Sequence, residues 1–192
     1  PVLLLMHGFS ASGTSRLARR IAPRLGAILL RSDVERKRIA GLAPLARSDS
    51  SPDSGLYTEA MTRATLLRLA SLADQLLGWG YPVIVDATFL LAWQRRLFLD
   101  LAQSRGIAVA ILDCRVPRDE LRGRLAARRA GGRDASEATL DVLEAQFERA
   151  EPLAAEELGC ALEVRPDRSV AALVRELARL TKVSLGEVQE DA

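Results

Sequence analysis

Five short apolar runs, each followed by a longer stretch of helical periodicity, leave this chain few folds to choose from. The runs Val2–His7, Ala27–Arg31, Val83–Ala87, Ala108–Cys114 and Ala161–Val164 show little alternation of apolar and polar residues. That is the pattern of strands buried on both faces of a parallel sheet. Between and after them, Ser15–Leu25, Val34–Gly41, Thr58–Trp79, Ala92–Arg105, Arg118–Arg129, Ser136–Ala150 and Ser169–Lys182 read as helices. The expectation is an α/β protein whose parallel sheet is wrapped by helices.

A chain of 192 residues, 48% of them hydrophobic, suffices for one such domain and is short for two. We expect a single domain over residues 1–182 and a fraying tail over 183–192. Ala43–Gly55, dense in Pro, Ser, Asp and Gly and without periodicity, is expected to be a mobile surface loop. The six-residue apolar start meets His7 and Gly8, too soon for a signal peptide or a membrane span. Lys+Arg 27 against Asp+Glu 25 gives a net charge of +2, so bulk electrostatics calls for neither a nucleic acid nor an acidic membrane as partner. Cys114 and Cys160 lack metal-ligand spacing and are expected to be small core residues in a reducing, cytoplasmic compartment.

The first strand runs directly into Gly8-Phe9-Ser10-Ala11-Ser12-Gly13-Thr14-Ser15, and an amphipathic helix follows. Set against G-x-x-x-x-G-K-[ST], the glycines, the small residues, the hydroxyl and the strand-to-helix context all match the P-loop, or Walker A, pattern. Gly8 and Gly13 permit the curl that aims backbone N–H groups at a phosphate, and the helix start behind them adds partial positive charge. Ser15 stands where a hydroxyl would ligate Mg²⁺. Thr14 stands where the lysine belongs, and only Lys37 and Lys182 are lysines anywhere in the chain. Losing that cation should weaken ATP binding and transition-state stabilisation by about 2–4 kcal/mol. Either an arginine from elsewhere compensates, or catalysis is impaired.

Ligands of open parallel sheets collect beyond the carboxyl ends of the strands, which gives weight to Asp33 and Asp86. Asp33 closes the second strand, where a carboxylate could take the proton of an attacking hydroxyl; Arg36 and Lys37 lie on its side of the helix, and simple helix capping by Asp33 or Ser32 is the competing account. Asp86 ends the run Val83-Ile84-Val85, the pattern of a strand whose carboxylate holds Mg²⁺ directly or through water. Pairing with a nearby arginine is its alternative. Arg118, Arg122, Arg124, Arg128, Arg129 and Arg133 approach the Gly131-Gly132 break, and a hinge there would suit a lid that swings arginines over a nucleotide. Arg128 and Arg133 are the candidates, while most of the run suits a solvated helix paired with Asp119 and Glu120. His7 is expected to pack or cap. Trp79, Tyr81, Trp93 and Phe98 are expected to pack at helix ends, and Tyr57 could touch a substrate.

In the order of these motifs the chain resembles the small P-loop kinases: gluconate kinase, adenylylsulfate kinase, chloramphenicol phosphotransferase and polynucleotide kinase. It is similar above all to the ATP-binding domain that follows an aminoglycoside-phosphotransferase-like domain in bifunctional bacterial proteins. The likeness runs through His7–Ser15, Arg31–Arg38, Val83–Phe89 and Asp134–Ala138. The resemblance implies a three-layer fold with a five-stranded parallel sheet and an Arg-rich helical lid near residues 118–150. It implies ATP and Mg²⁺ at Gly8–Ser15, an acceptor hydroxyl near Asp33, and an attached phosphotransferase-like domain in a longer polypeptide. The leading expectation is an ATP-dependent phosphotransferase acting on a hydroxyl of a small molecule. A catalytically weak or inactive nucleotide-binding module is the alternative that Thr14 raises. Polynucleotide 5′-hydroxyl kinase, suggested by the Asp33-to-Arg36 spacing, is a further one, and the near-neutral charge speaks against it.

Overall fold

The computed structural model describes residues 1–44, 55–129, 138–165 and 168–182. Five strands form one sheet: β1 (Val2–His7), β2 (Ile28–Arg31), β3 (Val83–Asp86), β4 (Ala108–Cys114) and β5 (Ala161–Val164). They lie in the order β2-β3-β1-β4-β5, and every neighbouring pair is parallel. The α/β fold with a five-stranded parallel sheet is therefore as the sequence led us to expect.

Alternate residues of each strand feed two separate cores, because successive side chains point to opposite faces. Val2, Leu4, Met6 and Ile84 pack with Ala18 and Ile21 of α1 (Thr14–Ile21) and with Leu173, Val174 and Leu177 of α8 (Val170–Thr181). Leu3, Leu5, Val83 and Val85 pack with Leu66, Leu69 and Ala73 of α3 (Glu59–Gly78) and with Phe98 and Ala102 of α4 (Ala92–Ser104). A third, smaller cluster of Leu121, Leu125 and Leu143 joins α5 (Arg118–Arg129) to α6 (Leu140–Arg149).

Helix ends differ from expectation where local chemistry intervenes. Pro23 cannot continue α1, so a short 3₁₀ turn, Pro23–Leu25, replaces its last residues. The helix α2 (Ser32–Ile39) starts directly from β2 with no intervening turn. Thr58 and Thr139 cap α3 and α6 by accepting from the amides of Met61 and Val142 at 3.2 and 3.3 Å. A four-residue helix, α7 (Ala155–Leu158), was not expected. Trp79 and Tyr81 do not pack as expected; they are 72% and 49% exposed at the end of the sheet opposite the strand C-termini. Trp93 and Phe98 do pack, the latter edge-on against Phe89 at 5.2 Å. Cys114 is buried and Cys160 half-buried, both as free thiols. Most of the expected mobile loop, the Gly131-Gly132 hinge and the C-terminal tail lie outside the described residues, as does all of the Asp134–Ala138 motif but Ala138. No helix among the described residues is long and apolar enough to cross a membrane.

Candidate functional site

The central strand β1 is flanked by β3 and β4: the chain passes from β1 to β2 on one side of it and, after β3, crosses to β4 on the other. A crevice opens above the strand ends at such a reversal. Gly8–Ser15 occupies that place. Gly8 and Gly13 have φ of +153° and +96°, and Ala11 at the tip has φ of +67°. A β-carbon at Gly8 would lie 2.9 Å from the Cys114 carbonyl oxygen, so the first glycine is required by both conformation and space.

The loop is curled, and its donors divide into two groups. The Gly8 amide donates to the Thr88 carbonyl at 3.1 Å, the Ser12 amide to the Phe9 carbonyl at 3.1 Å, and the Ser10 amide to Gln146 Oε1 at 2.9 Å. The amides of Gly13, Thr14, Ser15 and Arg16 have no acceptor among the described residues. These four point from the start of α1 at the place where an anion would sit. The Ser10 donor is thus spent on α6.

Side chains at the strand ends converge on the same place. Parallel pairing sets Arg31 of β2 beside Asp86 of β3, and Asp86 beside Met6 of β1. Arg31 Nε donates to Asp86 Oδ2 at 3.2 Å, and its Nη2 donates to Ser15 Oγ at 3.5 Å. Burial pushes the Asp86 carboxyl above its ordinary value against the opposing pull of the Ser15 hydroxyl and the Arg31 guanidinium; the charge of Asp33 adds to the rise. Asp33 sits in the first turn of α2 with Arg36 Nη1 3.9 Å away, and the helix start has no side-chain capping bond. The capping account of Asp33 and Ser32 is therefore not what the geometry shows, whereas the arginine-paired account of Asp86 is.

The arginines give a mixed outcome. Arg128 falls in the last turn of α5, but its side chain lies outside the described residues, as does the whole of Arg133. Arg124, one turn before Arg128, is the α5 arginine seen at the loop. Its Nη1 donates to the carbonyls of Ala11 and Ser12, each at 3.4 Å, while Nη2 binds Glu120 at 2.7 Å. Arg122 is paired with Asp119 and Glu144, the solvated-helix account. Gln146 was missed: besides accepting from Ser10 it donates to Ser10 Oγ at 2.9 Å, and Phe147 beside it packs edge-on against Phe9. Only the helical position of Gln146, one residue from an aromatic, could have hinted at this. His7 packs as expected, its Nδ1 2.7 Å from Asp113 Oδ1.

A cavity of about 970 Å³ lies over these groups, lined by Gly13–Ser15, Asp33, Arg36, Tyr57, Asp86, Thr88, Trp93, Arg124 and Gln146 among others. That is at the upper end of the range for ligand pockets. Tyr57 stacks under Arg36, with the guanidinium 5.0 Å from the ring centroid. Among the described residues no group of three or more His, Cys, Asp or Glu could hold a metal by itself. Ser15 and Asp86 fit a Mg²⁺ ion of the kind held by one carboxylate, a hydroxyl and substrate phosphates.

Residues 3–153 match the family model AAA_33, described as an AAA domain. The chain belongs to this family. Uncharacterized proteins of Mycobacterium bovis (Mb2027c) and Mycobacterium tuberculosis (Rv2004c) are each 31% identical to this AAA_33 domain over 134 residues. The aligned part is 70% of this chain and 27% of theirs, so the chain spans about a quarter of the length of these relatives. A gluconokinase from Sinorhizobium meliloti is similar in structure with a TM-score of 0.62, 21% identity and coverage of 95% of this chain and 94% of that one. The adenylylsulfate kinase CysC of Mycobacterium tuberculosis, solved with AMPPNP and APS, has a TM-score of 0.62, 23% identity and coverage of 94% and 97%. Kti12 of Chaetomium thermophilum, solved with ADP-AlF3, has a TM-score of 0.68, 16% identity and coverage of 96% and 100%. The AAA_33 domain thus has the fold of the small P-loop kinases.

Proposed function

We propose that this AAA_33 domain binds ATP through Gly8–Ser15 and transfers the γ-phosphoryl group to a hydroxyl of a small molecule. The observation that carries the reading is the set of four unspent amides at Gly13–Arg16, at a cavity also lined by Asp86, at the end of β3, and by Asp33, in the first turn of α2. The nucleotides bound in the CysC and Kti12 structures support it.

In this reading the amides of Gly13–Arg16 hold the phosphate chain. The Ser15 hydroxyl and the Asp86 carboxylate hold Mg²⁺, which neutralises charge on the phosphates when bound. Asp33 accepts the proton of the acceptor hydroxyl as its oxygen bonds to the γ-phosphorus and the bond to ADP breaks. Arg128 and Arg133 are assigned the role of neutralising charge on the transferred group. The acceptor occupies the part of the cavity between Asp33, Arg36, Tyr57 and Trp93.

The test is phosphoryl transfer from γ-labelled ATP across a panel of small polyols and sugar acids, comparing wild type with Asp33→Asn. Transfer by wild type should fall by about 10²–10⁴-fold in the variant, with ATP affinity kept. Undiminished transfer in Asp33→Asn would remove Asp33 as the base. The second reading, nucleotide binding without turnover, is favoured by one observation, Thr14 in the lysine position. ATP binding without transfer to any acceptor would select it.

A further inference from the structure

We infer that Arg31 is a positioning residue that sets a fixed positive charge behind the Ser15–Asp86 pair and so takes over the electrostatic duty left vacant by Thr14. The inference rests on the reading of Gly8–Ser15 as a phosphate seat and adds to it the residue that makes the seat usable without its lysine.

The pairing of β2 with β3 fixes the arrangement, because Arg31 and Asp86 are register partners at the carboxyl ends of their strands. One guanidinium then contacts both groups at the corner: Asp86 through Nε at 3.2 Å and Ser15 through Nη2 at 3.5 Å. The side chains of Arg31 and Asp86 are only 16% and 5% exposed, so their charges are weakly screened. Asp33 lines the same cavity as Asp86. A phosphate chain brought to this corner would meet two carboxylates and no lysine, and Arg31 offsets that charge from behind.

Other arginines near the loop are placed differently. Arg124 is tied to Glu120 and to two loop carbonyls. Arg16 and Arg19 are exposed, where water and salt weaken their reach. Arg36 stacks on Tyr57 beside Asp33, toward the acceptor end.

The experiment is a double-mutant cycle on ATP affinity, measured by calorimetry in MgCl₂ with wild type, Thr14→Lys, Arg31→Gln and the double variant, each checked by thermal melting. Arg31→Gln should weaken ATP by about tenfold or more, and Thr14→Lys should restore most of that loss. A role confined to packing would not be rescued by a lysine at position 14. In the wild-type background, Thr14→Lys should gain less than about threefold, since the charge is already supplied. Arg31→Lys should keep affinity closer to wild type than Arg31→Gln does.

Unchanged affinity in Arg31→Gln, or a loss that Thr14→Lys leaves unrepaired, overturns the inference while leaving the phosphate seat in place. So does a tenfold gain from Thr14→Lys alone, which is decisive even if Arg31→Gln fails to fold. Absence of ATP binding by both wild type and Thr14→Lys overturns the phosphate reading itself.

Discussion

Gly8 shows how closely the loop is built. Its φ of +153° and the 2.9 Å that a β-carbon would have to the Cys114 carbonyl leave no cheap adjustment, since the obstacle is backbone. Gly8→Ala should therefore lower the unfolding free energy by about 1–3 kcal/mol, read from urea melts, and weaken nucleotide binding by moving the amides. An unaltered midpoint would mean that the loop is slack. Residue identities at the loop were legible because a P-loop announces itself through glycine spacing and context. The role of Arg31 was not: it stands 55 residues from Asp86 and 16 from Ser15, and only strand order makes them neighbours. Arg124 was visible as one of several arginines, but nothing in its spacing distinguishes it from Arg128.

Among the elements, the connection after β3 depends on a buried arginine. Arg95 of α4 is fully buried; it donates to the carbonyls of Phe89, Glu151 and Pro152 at 3.0, 3.3 and 3.0 Å and to Glu157 Oε1 of α7 at 2.7 Å. It staples the Phe89–Leu91 segment, which floors the cavity, to the chain leaving α6. Arg95→Met should cost about 3–5 kcal/mol because Glu157 and three carbonyls lose their donor. Burial pushes the Glu157 carboxyl up, but Arg95 and the Ala154 amide outweigh it and hold it below its ordinary value of 4.5. A lowered folded-state pKa means that the stabilisation is complete above 4.5 and is lost as pH falls through the lower folded value. Denaturant melts across that window should show stability falling on acidification in wild type, and falling less steeply in Glu157→Gln. Equal slopes would separate Glu157 from acid sensitivity. The sequence hid this staple because α7 has four residues and no periodicity to read, and Arg95 looks like any arginine of an amphipathic helix.

For the molecule as a whole, the five strands were legible almost to the residue, since runs such as Val2–Met6 are buried on both faces and carry no competing helical signal. The order β2-β3-β1-β4-β5 was not readable from any run by itself, because parallel strands are paired through crossovers far apart in sequence. That order creates the crevice and brings Asp86, Ser15 and Asp33 to its wall, with Arg31 held against Asp86 and Ser15. Thr14 is a local departure from the motif in that crevice. Whether Gly8–Ser15 grips phosphate decides what this site can do. Calorimetry of the wild-type chain with ATP, ADP and adenosine, with and without Mg²⁺, asks this directly. ATP and ADP should bind more tightly than about 1 mM and adenosine far more weakly, because the grip is on the phosphate chain. Silence with ATP and ADP, or adenosine binding as well as ATP, would contradict it.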